Sequence, residues 1–186
     1  MGWELREKQK ILNGKHQVMA LGIEIERRFL VKGDGWKALA GEGIRFRQGY
    51  LASNANDWTI RIRITEMGNA YLTLKKTSQG IAQNEFEYPI PINEAEALWT
   101  LVTKRVIKTR HIVNHAGMQW AVDCFQGENF PLILAEIELT SPTQKIDIPQ
   151  WCGEEITGQY QWSNAVLAEN PIKNTSIEMR LEEQKQ

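Results

Sequence analysis

The chain has 186 residues, 42% apolar and 24% charged. That suffices for one ordered domain burying about 70% of its unfolded surface, with no need of a disulfide or structural metal. Lysine and arginine total 22 against 23 aspartate and glutamate, and a net charge of −1 weighs against a protein that coats nucleic acid or anionic membrane.

The N-terminus lacks an apolar signal core, and no run of about 18 apolar residues could span a membrane, so a cytoplasmic protein is expected. Cys124 and Cys152 form no Cys-x-x-Cys pair and read as free, buried thiols. Residues 1–18 are polar, carry Lys8, Lys10, Lys15 and His16, and show little periodicity. They read as a loose extension ahead of a single domain over 19–186 that ends in a helical segment.

From Gly22 the pattern has period two, the signature of half-buried strands. Ile23 to Leu30 sets Glu24, Glu26 and Arg28 against Ile23, Ile25 and Phe29. Asp34 to Leu39 reads as a single turn and Ile44 to Leu51 as a strand. Trp58 to Thr65 sets Arg61 and Arg63 against three isoleucines. Glu66-Met67-Gly68-Asn69 supplies a hairpin turn. Asn69 to Lys76 puts Tyr71, Thr73 and Lys75 opposite Leu72 and Leu74, and Gln83 to Ile90 puts Glu85 and Glu87 opposite Phe86 and Tyr88. A helix is expected over Asn93 to Lys104, opened by a capping box of Asn93 and Glu96, with Ala95, Leu98, Trp99 and Val102 on one face. Strands follow at Val106 to Val113 (Lys108, Arg110), Met118 to Phe125 (Asp123) and Leu132 to Thr140 (Glu136, Glu138). A short helix over Ser163 to Glu169 precedes Pro171. The expected class is mainly β, with about eight strands and a few flanking helices.

The polar face is unusual in its charge. Six basic and seven acidic groups recur at alternate positions of seven strands. Period two alone does not say which face points inward. Outward charges describe a sandwich or barrel with an apolar core. Inward charges describe a wet tunnel, which needs opposite charges, metal ions or an anionic ligand to offset burial. Carboxylates suit Mg²⁺ and Mn²⁺, and arginine and lysine suit phosphate oxygens. An interior holding both is what a metal–polyphosphate complex requires.

Other chemistries have little support. His111 lies on the face opposite Lys108 and Arg110, and neither it nor His16 or His115 reads as a ligand or base. There is no Gly-x-x-x-x-Gly-Lys-Ser/Thr and no Gly-x-Ser-x-Gly. Gly43-Ile44-Arg45-Phe46-Arg47 has the look of a nucleic-acid strip, which the net charge disfavours.

Glu24-Ile25-Glu26-Arg27-Arg28 resembles the Glu-x-Glu-x-Lys signature of the CYTH proteins, or triphosphate tunnel metalloenzymes. The resemblance continues through Gln48-Gly49-Tyr50-Leu51, Arg61-Ile62-Arg63, Leu72 to Lys75, Glu85 to Tyr88, Lys108-Thr109-Arg110, Val122 to Phe125 and Ala135 to Glu138, and reaches Trp151 to Asn164. It covers roughly residues 22–171 in family order. It implies a closed eight-stranded antiparallel barrel with the charges inside. It also implies that Glu24, Glu26, Glu136 and Glu138 hold Mg²⁺ or Mn²⁺, and that Arg28, Arg61, Arg63, Lys75, Lys108 and Arg110 hold a triphosphate. Glu85, Glu87, Lys108 and Asp123 stand as the catalytic, supporting or water-positioning groups. Arg28 departs from the signature lysine, which bears on geometry more than on charge.

The implied reaction is hydrolysis of a triphosphate, inorganic triphosphate first, by a metal-activated water. The alternatives are a class IV adenylyl cyclase, a thiamine or nucleoside triphosphatase, or a non-catalytic polyphosphate or nucleotide binder. The expected partner is a triphosphate-containing small molecule, with no nucleic acid or membrane partner and room for a homodimer. Six tunnel cations repelling one another until an anion arrives would leave Arg61→Ala as stable as the parent, or more so.

Overall fold

The computed structural model describes residues 22–53, 58–77 and 81–174. The 1–18 extension lies outside them, and so does the chain beyond Asn174. The strands are β1 (Gly22–Val31), β2 (Ile44–Ala52), β3 (Trp58–Thr65), β4 (Ala70–Thr77), β5 (Ala82–Pro89), β6 (Arg105–His115), β7 (Met118–Phe125), β8 (Ile133–Glu138) and β9 (Cys152–Glu155). Helix α1 (Ile92–Leu101) follows β5, and α2 (Asn164–Glu169) follows β9.

The sheet runs β5-β4-β3-β2-β6-β7-β8-β1, all antiparallel, and β5 returns to β1 to close an eight-stranded barrel. Strand β1 makes the closure by forking. Its first half pairs with β5 from Gly22↔Glu85 to Ile25↔Ala82, and the same edge later takes β9 at Phe29↔Glu155 and Val31↔Cys152. Its other edge carries β8, with Glu26↔Glu138 and Arg28↔Glu136.

Strand β9 has no counterpart in the sequence expectations. It is four residues long, with no alternation to mark it. Its Gly153 lets two backbones meet, since a Cβ there would sit 3.2 Å from the Leu30 carbonyl oxygen. Gly68 serves the expected β3–β4 turn with a φ of +79°, a conformation that L side chains rarely adopt.

Helix α1 corrects its sequence expectation at both ends. Pro91, not Asn93, is its N-cap, and the helix stops at Leu101, where Val102 turns extended. Pro91 carries no N–H to satisfy and presets its φ, so the helix begins directly after it. Glu96, assigned to a capping box, instead pairs with Arg47 of β2. Helix α2 does have the expected cap, with Ser163 Oγ accepting from the Val166 N–H at 3.2 Å.

Apolar residues fall into three groups around the barrel. Outside β1, β6, β7 and β8, Phe29, Trp120, Val122, Ala135, Ile137 and Trp151 pack together, with Trp120 edge-on to Trp151. Outside β3 and β4, Ile64 and Ala70 meet Ala95 of α1. The third group closes one mouth of the barrel. Leu30, Val106, Phe125 and Leu134, each the apolar end of a charged row, and Tyr50, at the end of the Phe46–Gln48 row of β2, pack with Trp162, Ala165 and Leu167 on and beside α2. Buried Asn129 ties that plug down by donating to the Leu167 carbonyl and accepting from the Ile172 N–H. Among the described residues no helix is long and apolar enough to cross a membrane.

Candidate active site

Contacts between non-neighbouring strands settle the direction of the charged face. Lys75 of β4 pairs with Glu24 of β1 although β5 lies between them. Arg110 of β6 pairs with Glu136 of β8 across β7. Side chains on the convex wall diverge and cannot meet this way, so the charged rows line the lumen.

Each basic residue assigned to phosphate has a carboxylate beside it. Near the plug, Asp123 accepts from Lys108 and takes Arg110 in a two-pronged contact of 2.7 and 2.6 Å. Glu136 joins Arg110 to Arg28, whose Nε lies 3.0 Å away. Arg63 Nη2 donates to both oxygens of Glu87, at 2.9 and 2.7 Å. Lys75 bridges Glu24 and Glu85, and Arg61 stands 3.8 Å from Glu85. The expected mutual repulsion of six bare cations is therefore corrected: a carboxyl group stands beside each of them. Burial grades along the axis, from Asp123 at 0% and Lys108 at 2% exposed beside the plug to an exposed Glu138.

Among the described residues, three buried guanidinium N–H groups have no acceptor: Arg28 Nη2, Arg61 Nε and Arg63 Nε. A buried donor left unpaired costs about 1–3 kcal/mol, so an anion reaching all three would relieve that cost.

The electrostatics are uneven. Burial, with Arg110 adding, pushes Lys108 down to about 8 against the pull of Asp123. Burial raises Asp123, yet Arg110 and Lys108 hold it below the usual carboxylate range. Burial likewise opposes Glu136 and Glu85, but Arg110 and Lys108 hold the first well below that range, and Lys75 and Arg61 the second. Glu24 goes the other way. Burial drives it up to about 8; Lys75 resists, while Glu26 and Glu85 add to the rise.

This has a consequence for stability. Folded Glu24 keeps its proton to about pH 8, whereas an unfolded glutamate releases it near 4.5. Its contribution is complete below pH 4.5 and is lost as pH rises through 8. The melting temperature of metal-free protein is expected to fall between pH 5 and 8, and Glu24→Gln should flatten that slope. A slope of opposite sign, or an unchanged slope in the variant, would show Glu24 ionised throughout.

Among the described residues no three acidic, histidine or cysteine side chains converge closely enough to hold a metal as they stand. The reason is visible, because Arg28 and Arg110 engage Glu136 and Lys75 engages Glu24. The donor set itself suits a hard divalent cation, being all carboxylate and grouped on neighbouring strands, with Glu26 opposite Glu138 and Glu24 two residues away.

The structure adds contacts that the alternation did not give. Thr73, fully buried, donates to Glu87 at 3.1 Å. Asn164, the first residue of α2, lies 3.5 Å from Lys108 Nζ. Gln48 donates to the Tyr50 hydroxyl at 3.0 Å. Phe46 faces inward too, so the Gly43–Arg47 stretch is no basic–aromatic strip: alternation parts Phe46 from Arg45 and Arg47. His111 stays outside, its Nδ1 3.1 Å from the Gly41 carbonyl, as expected.

The CYTH domain model matches residues 22–165. The chain belongs to the CYTH family. An inorganic triphosphatase of Acetivibrio thermocellus is 44% identical over 156 residues, 83% of this chain and 98% of that protein. One from Nitrosomonas europaea is 34% identical over 153 residues, covering 78% and 96%. A solved structure of an inorganic triphosphatase superposes with a TM-score of 0.58 at 34% identity, over 78% of this chain and 97% of that one. A putative adenylate cyclase from Bacillus halodurans, at 21% identity and a TM-score of 0.53, shares the fold over 66% of this chain and 83% of its own.

Proposed function

We propose that this CYTH protein is a divalent-metal-dependent triphosphatase acting on inorganic triphosphate inside the barrel. The observation that carries the proposal is the lumen itself: one stopped barrel gathers six cations and seven carboxylates, with three buried guanidinium donors still unpaired. The likeness to inorganic triphosphatases along nearly their whole length supports the same substrate.

Arg28, Arg61, Arg63, Lys75, Lys108 and Arg110 grip the non-bridging oxygens and fix the triphosphate along the axis. The apolar plug excludes water from one end and stops the chain there, so the anion enters from the mouth bearing Glu138. Glu24, Glu26, Glu136 and Glu138 would hold Mg²⁺ or Mn²⁺, which when bound offsets phosphate charge and supplies Lewis-acid chemistry. Asp123 holds Lys108 and Arg110 in place, and Glu87 does so for Arg63. Glu85, shared between Lys75 and Arg61, is released as those cations turn to phosphate and is then the carboxylate placed to orient water.

The test is to incubate the protein with Mg²⁺ or Mn²⁺ and inorganic triphosphate, ATP or thiamine triphosphate and to identify the products. Metal-dependent release of orthophosphate and pyrophosphate from inorganic triphosphate, faster than from the other two, is expected. Cyclic AMP from ATP, or tight binding with no turnover, would contradict it.

A further inference from the structure

We propose that Phe46 is a positioning residue of the lumen, whose ring holds Arg63 and Arg110 apart and aimed for phosphate. The proposal rests on the functional reading above and adds a residue to it. Strand β2 lies between β3 and β6, and Phe46 pairs with Thr65 on one side and Lys108 on the other. Arg63 is two residues from Thr65, and Arg110 two from Lys108. Both arginines are thus diagonal cross-strand neighbours of one inward ring, a separation that long side chains reach. Their guanidinium carbons lie 5.7 and 5.9 Å from its centroid. On its far side Arg63 meets the Tyr71 ring at 5.3 Å.

The chemistry explains a phenylalanine in a charged lumen. Glu87, Asp123 and Glu136 already engage the two guanidiniums, and a further carboxylate at position 46 would consume the donors left over and cancel the charge a phosphate needs. A ring face attracts a cation within about 6 Å while leaving its N–H groups free. Arg63 Nε is indeed buried without an acceptor. Phe46 is 4% exposed, so water does not screen the contact.

Three measurements test the assignment. In ligand-free protein the Nε–H resonance of Arg110, assigned through Arg110→Lys, should carry a ring-current shift that disappears in Phe46→Leu, and that of Arg63, assigned through Arg63→Lys, should lose the Phe46 share and keep that of Tyr71. Phe46→Leu should raise KM for inorganic triphosphate about ten-fold with kcat changed less than two-fold, since the arginines grip ground and transition states alike, while Phe46→Tyr stays near the parent. Phenylalanines bearing one, two and three ring fluorines keep the shape and weaken the ring face, so KM should climb stepwise along the series. Absent ring-current shifts, a flat fluorine series, or equal losses in the leucine and tyrosine variants would overturn the proposal and leave Phe46 as filler. Should the parent protein fail to hydrolyse triphosphate, the functional reading falls, and the ring-current shifts still decide the positioning.

Discussion

Asp123→Asn is expected to destabilise the ligand-free protein by about 3 kcal/mol, lowering its melting temperature by about 6–12 °C at this chain length. Asp123 is fully buried and accepts from both Lys108 and Arg110, and Lys108 has only 2% of its side chain exposed. Removing the carboxylate strands Lys108 and leaves Arg110 with Glu136 alone, beside a plug of Val106, Phe125 and Leu134. Breaking one side of a buried pair costs about 3–5 kcal/mol. Lys108, already depressed, sheds its proton to lessen that cost, which places the loss at the lower end. Inorganic triphosphate should restore part of the melting temperature, because an anion then takes the vacated role. An unchanged melting temperature in the variant would mean that this cluster is solvated and the plug does not seal it.

Glu136→Gln is expected to cut metal-dependent turnover about 100-fold or more while the fold survives, the effect of losing a ligand whose cation supplies several kcal/mol of transition-state stabilisation. Glu136 joins Arg28 to Arg110 and lies across from Arg28 in the β1–β8 register. Arg110 keeps Asp123, and Glu136 is 13% exposed where Asp123 is 0%, so structural loss should be small beside the kinetic one. Raising Mn²⁺ should recover part of the rate, as expected when the defect is weakened ion binding. Full activity at low metal would remove Glu136 from the ion-holding set.

Much of this site was legible in the residues because strand alternation is local. Glu24 with Glu26, Arg61 with Arg63 and Glu136 with Glu138 must share a face whatever the sheet does. Closure and pairing were not local. That β2 lies beside β6, and that β5 returns to β1, is decided by register across distant segments. The partners of each cation follow from that closure, so Arg28 with Glu136 and Lys75 with Glu24 were out of reach of periodicity. So was the carboxylate that stands beside each lumen cation. Phe46 carried a readable signal, since it alternates with Gln48 and Tyr50, but an apolar residue among charges looks like wall packing until the strands on either side are known. Strand β9 was missed for want of length, and the α1 cap because Asn93 and Glu96 have box spacing while Pro91 starts the helix first.

The central claim, that the charged face is internal and grips a triphosphate, is tested most directly with Arg61→Ala. The measurement is the melting temperature with and without inorganic triphosphate and Mg²⁺, in parent and variant. At a hundred times its dissociation constant the ligand should stabilise the parent by about 2.7 kcal/mol, or about 5–10 °C. A lost charge-assisted contact weakens binding by about 1.5–3 kcal/mol, or 10- to 150-fold, so about half or more of that shift should vanish in the variant and kcat/KM should fall in step. Equal shifts in the two proteins, with unchanged kinetics, would contradict the claim and leave Arg61 as a lumen charge that no phosphate touches.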